Sequence, residues 1–343
     1  MITKLTLRNF KSIREQTYNF THFDLLVGTN NSGKSTLLQA LAIWQFCIDE
    51  FGRAKRRGKR GVQIVLPNFT ALPVPVFNLL WRERTDRRKG EEKKQEYILI
   101  EIEVTWKALN NELRCFTVKL RYNSPQTIYA IPGEGWTYFN ELRGDLDRPS
   151  QLPIVAYVPP FSGLEDREER RDDGPLRKQV GKAQPGSVLR NLLLRVWDKD
   201  EQGWRDIQEI VKKWFSVELI SPKYLAGVDT QITCEYKQGG KAYDIIAGGS
   251  GFHQTLTLLA FLYGYHPTTI LLDEPDAHLH VNLQRNVLDY FRFFNSKAQE
   301  KNIQFLISTH AEEFIRGVEV NQIISLLSGE PRRIKSTPEI LIK

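Results

Sequence analysis

No stretch of this chain reaches the roughly 18 consecutive apolar residues of a membrane-crossing helix. The opening MITKLTLRNFKSI alternates apolar and polar residues where a secretory leader would carry an unbroken apolar core. The expectation is a cytoplasmic protein that neither spans a membrane nor is exported. Cysteine is sparse: Cys47, Cys115 and Cys234 stand far apart, none with a second cysteine or a histidine at metal-ligand spacing. Each reads as a buried thiol, and no disulfide framework is implied. The helical stretches are too short for a long coiled-coil arm. The 27 residues beyond Arg316 are too few for another domain. What is present is 343 residues that are 41% hydrophobic, enough for one large core or a core carrying an insertion. The net charge of +7 permits contact with nucleic acid without requiring it.

Ile2, Leu5, Leu7 and Phe10 alternate with polar neighbours and predict a half-buried strand over 2–10. FDLLVG at 23–28 predicts a second, short strand that runs into a glycine loop. Leu37, Leu38, Leu41 and Ala42 then recur at helical spacing. YILIEIEVTW at 97–106 and LRCFTVKLRY at 113–122 predict antiparallel strands of a lobe inserted after that helix, joined to it by the mixed-charge stretch between Arg82 and Glu96. IVAYVPP at 154–160 predicts a third strand, stopped by its prolines. GLEDREERRDDG at 163–174 is too charged for a core and reads as a mobile loop or a solvated helix. Two amphipathic helices are expected between Ser187 and Phe215, and another helix over 251–265. The β-formers at 269–273 and 303–307 flank a helix beginning near His280, the strand–helix–strand pattern of a parallel sheet.

GTNNSGKS at 28–35 fits the phosphate-loop pattern G-x-x-x-x-G-K-[ST]: the glycines let consecutive N–H groups face phosphates, and the helix that follows points its positive end there. Asn30, Asn31, Ser32, Gly33, Lys34, Ser35 and Thr36 are the candidate nucleotide contacts. Lys34 would reach the β- and γ-phosphates, and the Ser35 hydroxyl would hold Mg²⁺. In TTILLDEPDAHLH at 268–280, Asp273 would stand beside the Mg²⁺, directly or through water, and Glu274 beside the water that attacks the γ-phosphate. His310, after the 303–307 strand, sits where ligands bind in open α/β sheets and is assigned to the γ-phosphate or that water. His278 and His280 do not make an H-E-x-x-H pair and read as interface or helix-start residues. The glycines in IIAGGSGFHQ at 245–254 offer a second anion-binding helix start, whose phosphate is most economically the ATP of a second subunit. Arg53, Lys55, Arg56, Arg57, Lys59 and Arg60 form a dense basic run, a candidate contact for nucleic acid or an acidic partner.

Together LRNFKSI at 7–13, GTNNSGKST at 28–36, ILLDEPDAHLH at 270–280 and STH at 308–310 resemble the ATP-binding-cassette superfamily. The resemblance is to its non-transporter branch, which includes RecF, SMC and Rad50 heads and the overcoming-lysogenization-defect (OLD) ATPases. It implies an α/β head of the P-loop NTPase type with a mixed β-sheet, an inserted antiparallel β lobe and a helical lobe. Residues 1–160 would carry the phosphate loop and the β lobe, 161–245 a charged connection and the helical lobe, and 246–343 the signature helix, Walker B strand and switch histidine. It also implies ATP and Mg²⁺ as cofactors, Asp273 and Glu274 as the Walker B pair, Asp276 as the D-loop residue and His310 as the switch. The signature motif departs from the family form. One register aligns Ala247–Gly249 with Ser-Gly-Gly; the preferred one places Ser250 and Gly251 as Ser-Gly, with Gln254 downstream. The lobe-junction glutamine is not evident near VAYVPPFSGL. YVPP and GSVLRNLLLRVW resemble the OLD-like branch, whose usual nuclease domain is missing here. The expected function is therefore an ATPase that pairs head to head and regulates a separate effector nuclease or toxin in anti-phage defence. The alternatives are a RecF-like repair ATPase that clamps DNA and a non-hydrolysing interaction module.

Overall fold

The computed structural model describes residues 1–54, 61–89, 95–108, 110–144, 150–161, 163–172, 176, 179–180, 184–297, 303–327 and 330–335. In chain order the first part comprises β1 (Ile2–Phe10), β2 (Ile13–Asn19), β3 (Phe23–Val27), α1 (Lys34–Arg53), β4 (Val62–Val65), β5 (Arg87–Lys89), β6 (Gln95–Tyr97), β7 (Ile100–Lys107), β8 (Leu113–Ser124), β9 (Thr127–Pro132), α2 (Phe139–Arg143) and β10 (Val155–Val158). The second part comprises α3 (Leu189–Lys199), α4 (Glu201–Phe215), β11 (Glu218–Leu219), β12 (Glu235–Gln238), β13 (Lys241–Asp244), α5 (Ser250–Tyr265), β14 (Thr269–Asp273), α6 (Val281–Lys297), β15 (Gln304–Ser308), α7 (Glu312–Arg316), β16 (Ile323–Ser325) and β17 (Arg332–Arg333).

Two six-stranded sheets carry the fold. One, in the order β2-β1-β7-β8-β9-β4, is antiparallel throughout. The other, β10-β14-β15-β3-β16-β17, is parallel except for its last pair. The strands at the centre of the parallel sheet are buried on both faces, and their residues alternate between two cores. Leu26, Leu271 and Leu306 join α1 and the antiparallel sheet, while Leu25, Ile270, Leu272, Phe305 and Ile307 join α3, α4, α5 and α6. That double burial is why the centres of these strands, Ile270–Leu272 and Phe305–Ile307, are apolar without alternation. Helix α1 lies between the sheets, with Leu37, Leu38, Leu41, Trp44 and Phe51 all buried. Trp44 Nε1 donates to Phe116 O at 3.0 Å, which pins α1 to β8.

Two expectations need correction. The antiparallel lobe is not made by the insertion alone. β7 pairs with β1, Leu5 opposite Val104, so the chain's first hairpin forms its edge. Alternation marks a strand but does not choose its partner. The predicted strand at VAYV forms and pairs in parallel with β14, Tyr157 opposite Leu271. The second correction concerns GLEDREERRDDG, which contains a buried carboxylate. Glu168 is 1% exposed and accepts from Arg190 N, Asn191 N and Asn191 Nδ2, so it satisfies the first amides of α3. Glu168→Ala is expected to lower stability by about 2 kcal/mol, because buried donors lose their acceptor. Glu168→Gln, which keeps a carbonyl, should lose less. Thermal unfolding checks this, and equal midpoints for the wild type and the alanine variant would reject the cap.

Of the basic run, Arg53 ends α1 and pairs with Glu50 at 2.7 Å, whereas Lys55, Arg56, Arg57, Lys59 and Arg60 lie outside the described residues. Among the described residues no helix is long and apolar enough to cross a membrane.

Candidate nucleotide site

The C-terminal ends of β3, β14 and β15 meet at one edge of the parallel sheet, and the predicted residues converge there. Strand β3 runs into Gly28, where a Cβ would lie 2.4 Å from Ser32 Oγ, so a side chain there would displace the Ser32 hydroxyl. Gly33 turns the loop into α1 with φ 99°, a conformation that side chains resist. The first turn of α1 carries no acidic residue, which leaves its positive end open to an anion. The Lys34 ammonium is held over the loop by Gly28 O and Thr29 O, both at 3.0 Å. Burial pulls its pKa down, and the nearby Glu274 and Asp273 oppose that.

Ser35 Oγ donates to Asp273 Oδ1 at 3.0 Å. Asp273, the last residue of β14, is 3% exposed, and burial pushes its carboxyl above the ordinary range. Glu274 follows with φ 53°, its N–H held by Ser308 O at 2.9 Å, so the chain turns sharply and sends the two carboxylates in different directions. The Glu274 side chain is half exposed, with Oε1 3.7 Å from His310 Nε2. Thr309, buried beside His310, donates to Asp276 Oδ1 at 2.6 Å and so ties the residue after β15 to the turn after β14. Lys34, Ser35, Thr36, Glu274, His310 and the loop residues Asn30, Asn31, Ser32 and Gly33 line one cleft of about 640 Å³.

Two of the sequence-predicted residues are elsewhere. Ser250 is the first helical residue of α5, capped by Gly249, and is exposed. Gly251 packs near Leu283 and the His278 carbonyl. Neither lines the cleft. The same helix does touch the Walker B turn, because Gln254 Nε2 donates to Pro275 O at 3.1 Å. His280 Nδ1 accepts from Asn282 N at 3.4 Å at the start of α6.

Three contributors escaped the sequence reading. Lys11 and Ser12, on the β1–β2 turn, also line the cleft, a role that LRNFKSI as a mark of the branch does not disclose. Where a lobe-junction glutamine was sought, Tyr157 of β10 donates from its hydroxyl to Asp273 Oδ2 at 3.0 Å. A tyrosine in an apolar strand reads as core, and no local pattern could have revealed its partner.

Residues 1–125 match a family model described as "AAA ATPase domain", and residues 189–316 one described as "AAA domain, putative AbiEii toxin, Type IV TA system". No curated protein matches the sequence. Among solved structures the chain is similar to an SMC head bound to the C-terminal winged-helix domain of ScpA, with a TM-score of 0.53, 17% identity and 99% of each chain covered. It is also similar to the recombination mediator RecF with a bound ATP analogue, with a TM-score of 0.52, 14% identity and 98% of each chain covered. The chain therefore matches AAA-type models over two stretches, and over nearly its whole length it has an α/β fold like that of the SMC and RecF heads.

Proposed function

We propose that this protein binds MgATP in the cleft between the phosphate loop and Glu274, and hydrolyses it to ADP and phosphate at a site that a second copy completes. The observation that carries the reading is the convergence of Lys34, Ser35, Glu274 and His310 on one cleft, with the buried Asp273 hydrogen-bonded to Ser35 behind it. The loop amides and the α1 terminus bind the phosphates, and Lys34 exchanges its two loop carbonyls for phosphate oxygens. Ser35 Oγ and Asp273 Oδ1, 3.0 Å apart, are the hard oxygen donors that Mg²⁺ takes. Bound there, the ion would neutralise charge on the β- and γ-phosphates. Glu274 orients and deprotonates the attacking water, and His310, 3.7 Å from its carboxylate, faces the γ-phosphate side.

Ser250 lies outside the cleft of its own chain, at an exposed helix start with free amides. That placement suits a contact in trans and favours the register that makes Ser250–Gly251 the signature. The Thr309–Asp276 and Gln254–Pro275 hydrogen bonds connect this helix to the switch residues, so closure of a pair and alignment of Glu274 are coupled. The mixing test is decisive. Lys34→Ala and Ser250→Arg are each expected to lose turnover as homodimers. Once heterodimer formation is confirmed, the mixture should recover part of it, since one hybrid site keeps both functional halves. No recovery would sink the shared site.

The fold likeness to a recombination mediator and to an SMC head supports a head that engages DNA under the control of ATP, in preference to the anti-phage regulator read from the sequence. The anti-phage reading keeps one observation in its favour, the match of residues 189–316 to a model whose description names a toxin. ATPase assays with duplex and single-stranded DNA across a salt series separate the two. DNA-stimulated turnover that weakens with salt supports the first, and turnover indifferent to DNA removes it.

A further inference from the structure

The Tyr157 hydroxyl stands where the two sheets and α1 meet. Tyr157 lies on the face of β10 that looks toward α1, one strand away from Asp273. It donates to Asp273 Oδ2 at 3.0 Å, while Ser35 Oγ occupies Oδ1 at the same distance. The Gln39 side chain, on the second turn of α1, lies beside this hydroxyl. Gln39 Oε1 accepts from Lys11 Nζ. A carboxamide has one accepting and one donating end, so with Oε1 on Lys11 it is Nε2 that meets Tyr157. A phenol has one proton, and here it goes to Asp273. The two hydrogen bonds therefore point the same way, Lys11 donating to Gln39 and Tyr157 donating to Asp273, with the Gln39 amide between them.

We propose that Tyr157 is a positioning residue that fixes Asp273 through Oδ2, so that Oδ1 stays beside Ser35 for magnesium, and that Gln39 and Lys11 make this alignment depend on the β1–β2 turn of the other sheet. The inference rests on the MgATP site proposed above. The physical need is specific. A carboxylate at a strand end can rotate about its Cβ–Cγ bond, and a donor held rigidly by a neighbouring strand stops that rotation. Partners that orient a metal-ligating carboxylate commonly govern metal affinity 10- to 100-fold, by their removal. Because Lys11 belongs to a turn that also lines the cleft, movement of the antiparallel sheet reaches Asp273 through three side chains rather than through the backbone.

The test measures binding of a fluorescent ATP analogue to the full chain in EDTA and across a Mg²⁺ series, with hydrolysis recorded alongside. Tyr157→Phe should bind as the wild type does in EDTA, yet need about tenfold more Mg²⁺ to reach the tightened state. Gln39→Leu should shift the Mg²⁺ midpoint in the same direction by less, and the double variant should be no worse than Tyr157→Phe, as expected for one chain of contacts. Unshifted midpoints in Tyr157→Phe overturn the proposal, as does an equal loss of binding with and without Mg²⁺. If Tyr157→Phe fails to fold, Gln39→Leu decides: an unshifted midpoint overturns it. A wild type that binds no nucleotide under either condition instead removes the MgATP site itself, and this inference with it.

Discussion

Glu274→Gln is expected to bind MgATP as tightly as the wild type and to hydrolyse it about 10²–10⁴ times more slowly, the usual loss when a general base is removed. The amide keeps the size and shape of the carboxylate but cannot take a proton from water. Nothing in the packing stands against the change. The side chain projects half exposed into the cleft, and the residue is held by its backbone, through the N–H to Ser308 O, at a positive φ that does not depend on the side-chain oxygen. Single-turnover hydrolysis set beside a nucleotide titration separates chemistry from binding. An unchanged single-turnover rate would take Glu274 out of the reaction.

Lys34→Ala should fail earlier, in binding as well as turnover. The buried ammonium joins Gly28 O and Thr29 O, and it is the positive charge beside Asp273 and Glu274. Its removal leaves two carboxylates facing a polyanion and takes the clasp from the loop. A hydrogen bond to a charged group contributes about 1.5–3 kcal/mol, so affinity should fall by about 10- to 100-fold from that contact alone. Calorimetry with ATP checks it, and wild-type affinity would show that the loop amides alone bind the phosphates. The two variants differ in kind: Glu274→Gln should accumulate the ATP-bound form that pairs, whereas Lys34→Ala should never reach it.

Much of this site was legible because its signals are local. The phosphate loop is a contiguous pattern whose strand and helix flank it directly. The strand centres Ile270–Leu272 and Phe305–Ile307 declare their burial by being apolar on both faces. What stayed hidden involves partners distant in sequence. Lys11 reaches Gln39 across 28 residues, and Tyr157 reaches Asp273 across 116. A lysine in a turn and a tyrosine in a strand carry no mark of such pairings. Glu168 misleads for the related reason that a charge-rich segment hides one carboxylate committed to a helix start. Alternation marks the strands at 97–106 and 113–122 of the antiparallel lobe, but not that β1 pairs with β7 to complete it.

The parallel sheet, shared by two cores, also dictates when the protein can fold during synthesis. β3 is among its earliest strands to be made, yet its hydrogen-bonded neighbours are β15 and β16, about 280 residues later. Gln304 of β15 meanwhile bonds the backbone of Ile2 at 2.9 and 2.7 Å. At about 5–20 residues per second, a ribosome needs roughly 15–55 s to deliver β15 after β3 has emerged. Throughout that interval Leu25 and Leu26 have neither of their neighbouring strands beside them. The nascent chain must therefore be kept from aggregating until its last strands arrive, and truncation before residue 304 should leave a chaperone-bound polypeptide rather than a smaller folded head.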